Sequence, residues 1–586
     1  MKNFWGSLLG SIIGIIVSFV VVFVIVMIIF GSIVASQNKT VAVKQNSILL
    51  LNLNRPIIDR QPASTLRIGT FGIEDRIGLN EILAAIKYAK TDDRIKGIYI
   101  ESTYTGAGYA TIDEIRDALI DFRESGKFVV AYSDIYSQKI YYTVTAADKI
   151  FYNPTGLFTL NGLRIKSQFY KNAFKKLGIE PVVVKMGKYK SAPEQFENDK
   201  MSGPNKEQLT ALIGSIWKSI SGKISDARGI NPDTLNYLIN TLSIDSPESL
   251  LKHHLVDSLV YKSDVLSYMK QLTSTPEKKD LNAIRISDYT KTVDESAFVK
   301  PGSDKIAVIY ASGVIYDGEA DEDNIGGEKF AREIRKARRD STIKAIVLRV
   351  NSPGGSAMAS EVILDEIKRT KGIKPIVVSM GDVAASGGYY ISCEADSVLA
   401  GKNTITGSIG VFFRAAYSNG FFDKLGITFD VVKTHDHSDM FSFTRPYSPE
   451  ELAYLQHSIG KTYKLFLTRV SEGRDINYNA VNDIAQGRVW SGADAKKVGL
   501  VDSFGGMKQA IEAANYLAKL DGNYQIVELP KQESALEKFV KNLSGEAKFE
   551  HSLKAFGFDY STIKQMEQLM KVQGIVAILP FGMEIE

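Results

Sequence analysis

The sequence predicts an α/β protein, two tandem domains that follow an N-terminal membrane-crossing helix. Three observations carry this. A long apolar segment opens the chain, the remainder repeats itself at a fixed spacing, and each repeat alternates short branched apolar runs with helical stretches. The expected boundaries are 1–38 for the anchor, 39–300 for a first domain with its linker, 301–528 for a second domain and 529–586 for a C-terminal tail. With 586 residues and ~100–200 residues per domain, more than one core is required, each large enough to fold without staples.

No charged residue occurs between Lys2 and Lys39, and Leu8 to Phe30 is almost wholly apolar, with Ser11 and Ser18 as polar exceptions. About 20 apolar residues cross a bilayer as a helix, because hydrocarbon leaves a bare backbone unsatisfied. A cleaved signal peptide is the rival reading, with Val34-Ala35-Ser36 as its cleavage region. Signal cores are shorter, at ~7–15 residues, so a retained anchor is expected. Lys2 on one side and Lys39 with Lys44 on the other leave orientation undecided by charge.

The repeat organises the rest. Asp92, Ile95, Lys96 and Ile98 recur as Asp340, Ile343, Lys344 and Ile346, an offset of 248. Tyr141, Tyr142, Ala147 and Asp148 recur at the same offset as Tyr389, Tyr390, Ala395 and Asp396. Leu177-Gly178-Ile179 returns as Leu425-Gly426-Ile427, and Val183-Val184-Lys185 as Val431-Val432-Lys433. By Leu255-Val256-Asp257-Ser258 and Leu500-Val501-Asp502-Ser503 the offset has drifted to 245.

Within the second half, Ile306–Tyr310, Ala345–Val350 and Ile376–Val378 read as buried strands, and Glu361–Lys368 has helical spacing. That alternation implies a parallel sheet with helices on its faces. Ser274–Lys300 is polar and reads as the linker. Beyond Leu529 the tail is charged and helical in pattern, ending in an apolar stretch, Gly574–Phe581, with the look of a strand or docking segment.

Composition excludes several function classes. Hydrophobic residues make up 44% and charged residues 24%, ordinary globular usage. A net charge of +4 with no basic run of five gives no footing for nucleic acid. The single cysteine, Cys393, excludes an internal disulfide and a cysteine-rich zinc site, and it reads as buried packing. Among six histidines, His435-Asp436-His437 lacks a third ligand at useful spacing and reads as a solvated loop. No metal and no cofactor are expected.

Chemistry is expected at two glycine-rich turns, each after a strand. They are Asn351-Ser352-Pro353-Gly354-Gly355-Ser356 and Ala384-Ala385-Ser386-Gly387-Gly388-Tyr389-Tyr390. Glycines let a backbone approach a ligand closely and turn its amides inward. A serine at a helix start lies beside unsatisfied amides and the positive end of the dipole. Ser386 therefore suits a nucleophile whose substrate oxygen becomes negative, with nearby amides as an oxyanion hole. The alternative is a plain N-cap.

A serine needs a base, and no histidine presents itself as one. A buried lysine, neutral near pH 7, can replace it. At offset 248 Ser386 aligns with Gln138, and Pro-Gly-Gly with Thr105-Gly106-Ala107. Gly187-Lys188-Tyr189-Lys190-Ser191-Ala192 aligns with a segment in which Ser438 faces Lys190. Each half could thus have kept one member of a dyad, with Lys188 and Lys190 as candidates and a pair of surface lysines as the alternative.

The strings "RVNSPGGS", "AASGGYYIS", "TGSIGV", "GKYKSA" and "GRVWSGADAKKVGLVD" resemble the signal peptide peptidase A family, also called protease IV, in its long duplicated form. The resemblance spans nearly all of the chain after the anchor. It implies a crotonase/ClpP-like fold in each half and a serine–lysine dyad across the halves, with Ser386 as nucleophile and Lys190 as base, because the family lysine precedes Ser-Ala. It implies Ser408 as a hydrogen-bond partner of the amine, and oxyanion amides near Gly354, Gly355 and Gly387. It implies a homotetramer in a bacterial inner membrane, single-pass, with its catalytic bulk in the periplasm, digesting cleaved signal peptides and other apolar peptides without a cofactor. Pro193, directly after Ser-Ala, departs from the family pattern. An acyl-CoA hydratase or thioesterase on the same fold would need neither anchor nor lysine. An inactive peptide-binding scaffold would be favoured by loss of Ser386 or Lys190, and both are present.

Overall fold

The computed structural model describes residues 10, 13–18, 20–22, 24–25, 42–61, 76–293, 304–320, 323–532 and 574–579. Of the expected anchor, Leu8–Phe30, residues 10, 13–18, 20–22 and 24–25 are described and helical, and the others lie outside the described residues. Among the described residues no helix is long and apolar enough to cross a membrane.

The first half is built on β1 (Ser47–Leu51), β2 (Ile95–Glu101), β3 (Phe128–Tyr136), β4 (Lys149–Phe158), β5 (Glu180–Met186), β6 (Ser258–Leu259) and β7 (Ala283–Arg285). All but β5 form one parallel sheet in the order β6-β4-β3-β2-β1-β7. Parallel neighbours need crossover connections, supplied among others by α1 (Tyr109–Arg123), α2 (Gln138–Val144) and α3 (Gly203–Arg228). Side chains alternate along a strand, so both faces need cover. Leu49, Ile98, Ile100, Val129 and Ala131 join the core that includes residues of α1 and α3. Ile48, Tyr99, Val130 and Tyr132 face the other way, onto Val265 and Met269 of α4 (Lys262–Leu272).

The second half repeats the plan with β8 (Asp304–Ser312), β9 (Ile343–Ser352), β10 (Gly354–Ser356), β11 (Ile376–Ala385), β12 (Ser397–Ala400), β13 (Ile405–Gly407), β14 (Val411–Tyr417), β15 (Val489–Ser491) and β16 (Tyr524–Leu529). Its main sheet runs β15-β13-β11-β9-β8-β16, with β12 beside β11. Its helices include α5 (Ala357–Thr370), α6 (Gly387–Tyr390), α7 (Pro449–Arg474) and α8 (Met507–Ala518). Ala307, Ile346 and Val378 enter one core, while Ile306, Val347 and Val377 enter another with Ala510 and Ala514 of α8. The strands foreseen at Ile306–Tyr310, Ala345–Val350 and Ile376–Val378 are present and longer than their apolar centres.

Ser274–Lys300, read as a linker, is in part structure. Its β7 adds an edge strand to the first sheet, pairing Ile48 with Ala283, Leu49 with Ile284 and Leu50 with Arg285. Of those three only Ile284 is buried, too short a signal for the sequence to announce.

A third sheet joins the halves. β5 pairs antiparallel with β14, from Val411↔Met186 to Tyr417↔Glu180. On its other side β14 pairs antiparallel with β17 (Gly574–Ile578), the described part of the tail, and β17 pairs in turn with β10. A buried charge cluster also ties the halves. Arg349, wholly buried in the second half, lies 2.7 Å from Asp59 and 2.6 Å from Glu114 of the first. Asp382 on β11 accepts from the Gly108 and Thr111 amides at the start of α1.

Candidate active site

Ser386 stands between β11 and α6, at φ 56° and ψ −113°. This is sparsely populated ground for an L-residue and persists only where surrounding structure imposes it. Its amide donates to the Gly407 carbonyl at 2.8 Å, which clamps the turn to β13. As the N-cap of α6 it makes no side-chain capping bond. The plain N-cap reading therefore fails, because the hydroxyl is engaged elsewhere.

It is engaged by Lys190. The two polar atoms, Lys190 Nζ and Ser386 Oγ, stand 2.8 Å apart. Nζ also reaches Ser408 Oγ at 3.0 Å and the Ser408 carbonyl at 3.2 Å. Lys190 is 1% exposed and none of these partners is charged. Burial alone pushes the amine well below the ordinary lysine range, since a charge in an apolar interior loses its hydration. Lys188 points to the surface, with its ammonium 5.0 Å from the Tyr189 ring centroid. No histidine among the described residues bonds Ser386.

The turn carrying Lys190 is shaped from both halves. The Tyr189 amide donates to the Gln486 carbonyl at 2.8 Å. Gly487, at φ 77°, packs its backbone on Lys190, and a Cβ there would stand 2.6 Å from Lys190 Cβ. Gln208 on α3 donates to the Tyr189 carbonyl at 2.9 Å and accepts from the Val489 amide at 3.1 Å. Ser408, also left-handed at φ 51°, is held by its amide on the Arg488 carbonyl at 2.7 Å. Gln208 carries no signal in the sequence that marks it for this place. Gly487 opens the "GRVWSG" string without revealing its role. Pro193 caps the short helix Glu194–Glu197, so the departure from pattern starts a turn and leaves the amine in place.

Gly354 and Gly355 form the start of β10 beside the elbow, the sharp turn at Ser386 between β11 and α6. Gly354 has φ 100°, and a Cβ on it would stand 2.6 Å from the Gly387 amide nitrogen and collide with the Ala577 carbonyl. Gly354 and Gly387 thus meet next to Ser386, whereas a Cβ on Gly355 would run into the Ile315 backbone instead. An amine, a hydroxyl and backbone amides so arranged can deprotonate a serine and receive the negative oxygen of a tetrahedral intermediate.

The first half lacks this chemistry at the matching place. Gln138, the counterpart of Ser386, opens α2 and is buried, donating to the Tyr109 hydroxyl and accepting from the Asn161 and Gly162 amides. Cys393 is buried and its thiol lies 3.2 Å from the Tyr390 carbonyl, consistent with packing.

Comparison with known proteins agrees with the repeat. The profile of peptidase family S49 matches residues 121–275 and 368–521, two segments whose starts lie close to the spacing of the internal repeat. The chain is 35% identical over 502 residues to Protease 4 of Haemophilus influenzae, covering 83% of this chain and 81% of that one. It is 39% identical over 492 residues to Protease 4 of Salmonella typhi, with 80% and 78% covered. The chloroplastic serine protease SPPA of Arabidopsis thaliana is 30% identical over 542 residues, with 91% and 78% covered. With its two family segments and these extensive likenesses, the chain belongs to peptidase family S49 and is a serine protease.

Proposed function

We propose that the chain is a membrane-anchored endopeptidase that digests cleaved signal peptides and other apolar peptides by a Ser386–Lys190 dyad through an acyl-enzyme. The observation that carries this reading is the buried Lys190 amine 2.8 Å from Ser386 Oγ, with only neutral partners. Neutral Lys190 takes the Ser386 proton as Oγ attacks the peptide carbonyl. Amides near Gly354, Gly355 and Gly387 receive the oxyanion, a contribution of ~10²–10³ in rate per donor. Lys190 then protonates the leaving amine, Ser408 steadies it, and water releases the acyl group. No cofactor enters any step.

The lining beside the elbow favours apolar peptides, since Ala192, Val314 and Phe412 form a small apolar cluster there. The expected homotetramer draws support from exposed apolar side chains around the outer end of the third sheet, including Leu177, Leu425, Phe429, Val432 and Phe441. Patches of that kind mark association surfaces. The two crotonase/ClpP-like domains, the single-pass anchor and a periplasmic bulk at a bacterial inner membrane complete the reading, on the strength of the family resemblance and the apolar N-terminus.

Labelling the full chain with a fluorophosphonate and mapping the adduct tests it. An adduct on Ser386 that is lost in Lys190→Ala, together with cutting of an added apolar signal-sequence peptide, is the expected result. Labelling that survives the substitution refutes the lysine, and an unreactive Ser386 refutes the mechanism.

A further inference from the structure

The repeat lets the two halves be compared strand by strand. In each, the first strand meets the second after a register shift at the same step, at Ile48↔Gly97 in one half and Ile306↔Ala345 in the other. Two residues further on, the first strand pairs on its other side, Leu50 with Arg285 of β7 and Val308 with Glu528 of β16. Arg285 and Glu528 therefore stand at matching places in the two sheets. So do Glu101 and Arg349, by the 248-residue offset. At both places the charge is reversed between the halves.

The second half uses this place as a joint. Glu528 lies 2.9 Å from Arg60 of the first half. It also accepts from the Tyr310 hydroxyl and the Asn80 side-chain amide, each at 2.8 Å. Arg349 beside it holds Asp59 and Glu114. The first half has at the same place a cavity of about 400 Å³, lined among the described residues by first-half side chains alone. That size falls in the range of small-molecule sites. The cavity lies beyond the carboxyl ends of β1, β2 and β7. From β1 the chain runs outward through β2 on one flank and returns to β7 on the other. The crevice outside such a switch point is where open parallel sheets bind ligands.

The wall has a definite chemistry. Arg55 and Arg285 bring two guanidinium groups and Glu101 one carboxylate, which Lys262 already holds in an ion pair. The balance of charge is positive. Leu51, Ile77 and Ile286 give the wall a buried apolar side. Tyr99, also on the wall, is 3% exposed, and its buried hydroxyl has no hydrogen-bond partner among the described residues. Buried polar groups rarely stand so.

We infer that this cavity binds a small carboxylate with an apolar body, such as a hydrophobic amino acid or the last residue of a short peptide. The carboxylate accepts from Arg285, whose planar fork matches it, and from the Tyr99 hydroxyl. The apolar body lies on Leu51, Ile77 and Ile286. Glu101 on the same wall disfavours a dianion such as phosphate. The site is distinct from the elbow and from Gln138, its first-half counterpart, and its occupancy does not depend on the Ser386–Lys190 dyad.

Calorimetric titration with N-acetyl-leucine of the full chain carrying Ser386→Ala, so that nothing is cut, tests this. Saturable binding is expected, at least about tenfold tighter than that of N-acetyl-leucinamide, the margin of a charge-assisted hydrogen bond over a neutral one. Arg285→Leu, at an exposed position, should erase the preference for the acid. Tyr99→Phe should weaken the acid about three- to tenfold. It should leave the chain without ligand no less stable to urea, because the hydroxyl it removes leaves no partner behind. Several results overturn the inference: no saturable binding, equal binding of acid and amide, a preference that survives Arg285→Leu, an affinity indifferent to Tyr99→Phe, or displacement of N-acetyl-leucine by an equal concentration of inorganic phosphate. Each of them leaves the proposed function standing, which is tested at Ser386.

Discussion

Replacing Lys190 with alanine removes the one basic side chain that, among the described residues, touches Ser386 Oγ. The rate at which a fluorophosphonate labels the serine should fall by ~10²–10⁴, the usual worth of a positioned general base. That range is about 3–5 kcal/mol of barrier at ~1.4 kcal/mol per tenfold. Lys190→Arg should be no better, because a guanidinium does not give up its proton. The wild-type pH profile follows from the same contacts. No carboxylate lies among the partners of Nζ, so nothing opposes the burial that lowers its pKa. Labelling should rise with pH as the amine loses its proton and then level off, well below the ~10.4 of a free lysine. Stability carries the same sign. Between the depressed pKa and the ordinary one, the unfolded lysine holds a proton that the folded one lacks. Wild type should therefore gain ~1.4 kcal/mol per pH unit relative to Lys190→Met across that window, with no change below it. Hydroxyls left unpaired by methionine shift the offset and not the slope, so denaturation compared at several pH values isolates the proton. A labelling rate still climbing through pH 10, or one within about threefold of wild type in Lys190→Ala against the loss expected of a base, refutes the reasoning.

Ser408→Ala removes one hydrogen bond on Nζ, which by the ~0.5–1.5 kcal/mol net worth of such a bond should slow peptide cleavage roughly 3–10-fold in kcat with KM little changed. Gly354→Ala should abolish labelling of Ser386 while leaving the far-ultraviolet circular dichroism intact, since its Cβ crowds the Gly387 amide from a left-handed backbone. Arg349→Met leaves Asp59 and Glu114 buried without their cation and should cost ~3–5 kcal/mol in denaturant unfolding, with partial recovery on adding Glu114→Gln. Cys393, buried and with its thiol pKa pushed up by desolvation, should resist thiol reagents until the chain unfolds.

Much of the fold was legible because a duplicated strand–helix alternation prints itself twice. The serine was legible for a local reason, since glycines crowd where backbone must turn sharply. The third sheet was not legible, and one pair of strings shows why. Val183-Val184-Lys185 and Val431-Val432-Lys433 are identical. Yet the first lies in β5 with Val184 buried, whereas the second forms no strand and Val432 is fully exposed. Strand formation here depends on a partner edge, which β14 offers to β5 and not to Val431–Lys433, and propensity is silent about partners. The lysine fell between these cases. The repeat narrowed the search to Lys188 and Lys190, and only the family resemblance separated them. What separates them physically is burial under Gly487 and Gln486, hundreds of residues away along the chain.

The division of labour between the halves has a mechanical consequence. A buried amine and a serine at positive φ are each costly to maintain, and the amine is not held by its own half alone. Lys190 follows β5, whose seven paired residues lock it to β14 of the other half, while Ser386 is clamped by β13 through the Gly407 carbonyl. The distance between Lys190 and Ser386 is therefore set by the β5–β14 register and by the Arg349 cluster that fixes one domain on the other. At the opposite, symmetry-matched place Gln138 satisfies amides and Ser438 lies exposed, so the strain is borne once per chain rather than twice. A substitution that loosens β5 from β14, such as Val184→Asp at a buried position facing Phe413, should then silence Ser386 at a denaturant concentration where both main sheets persist. Loss of labelling and loss of circular dichroism in a single shared transition would show instead that the site and the two sheets unfold as one.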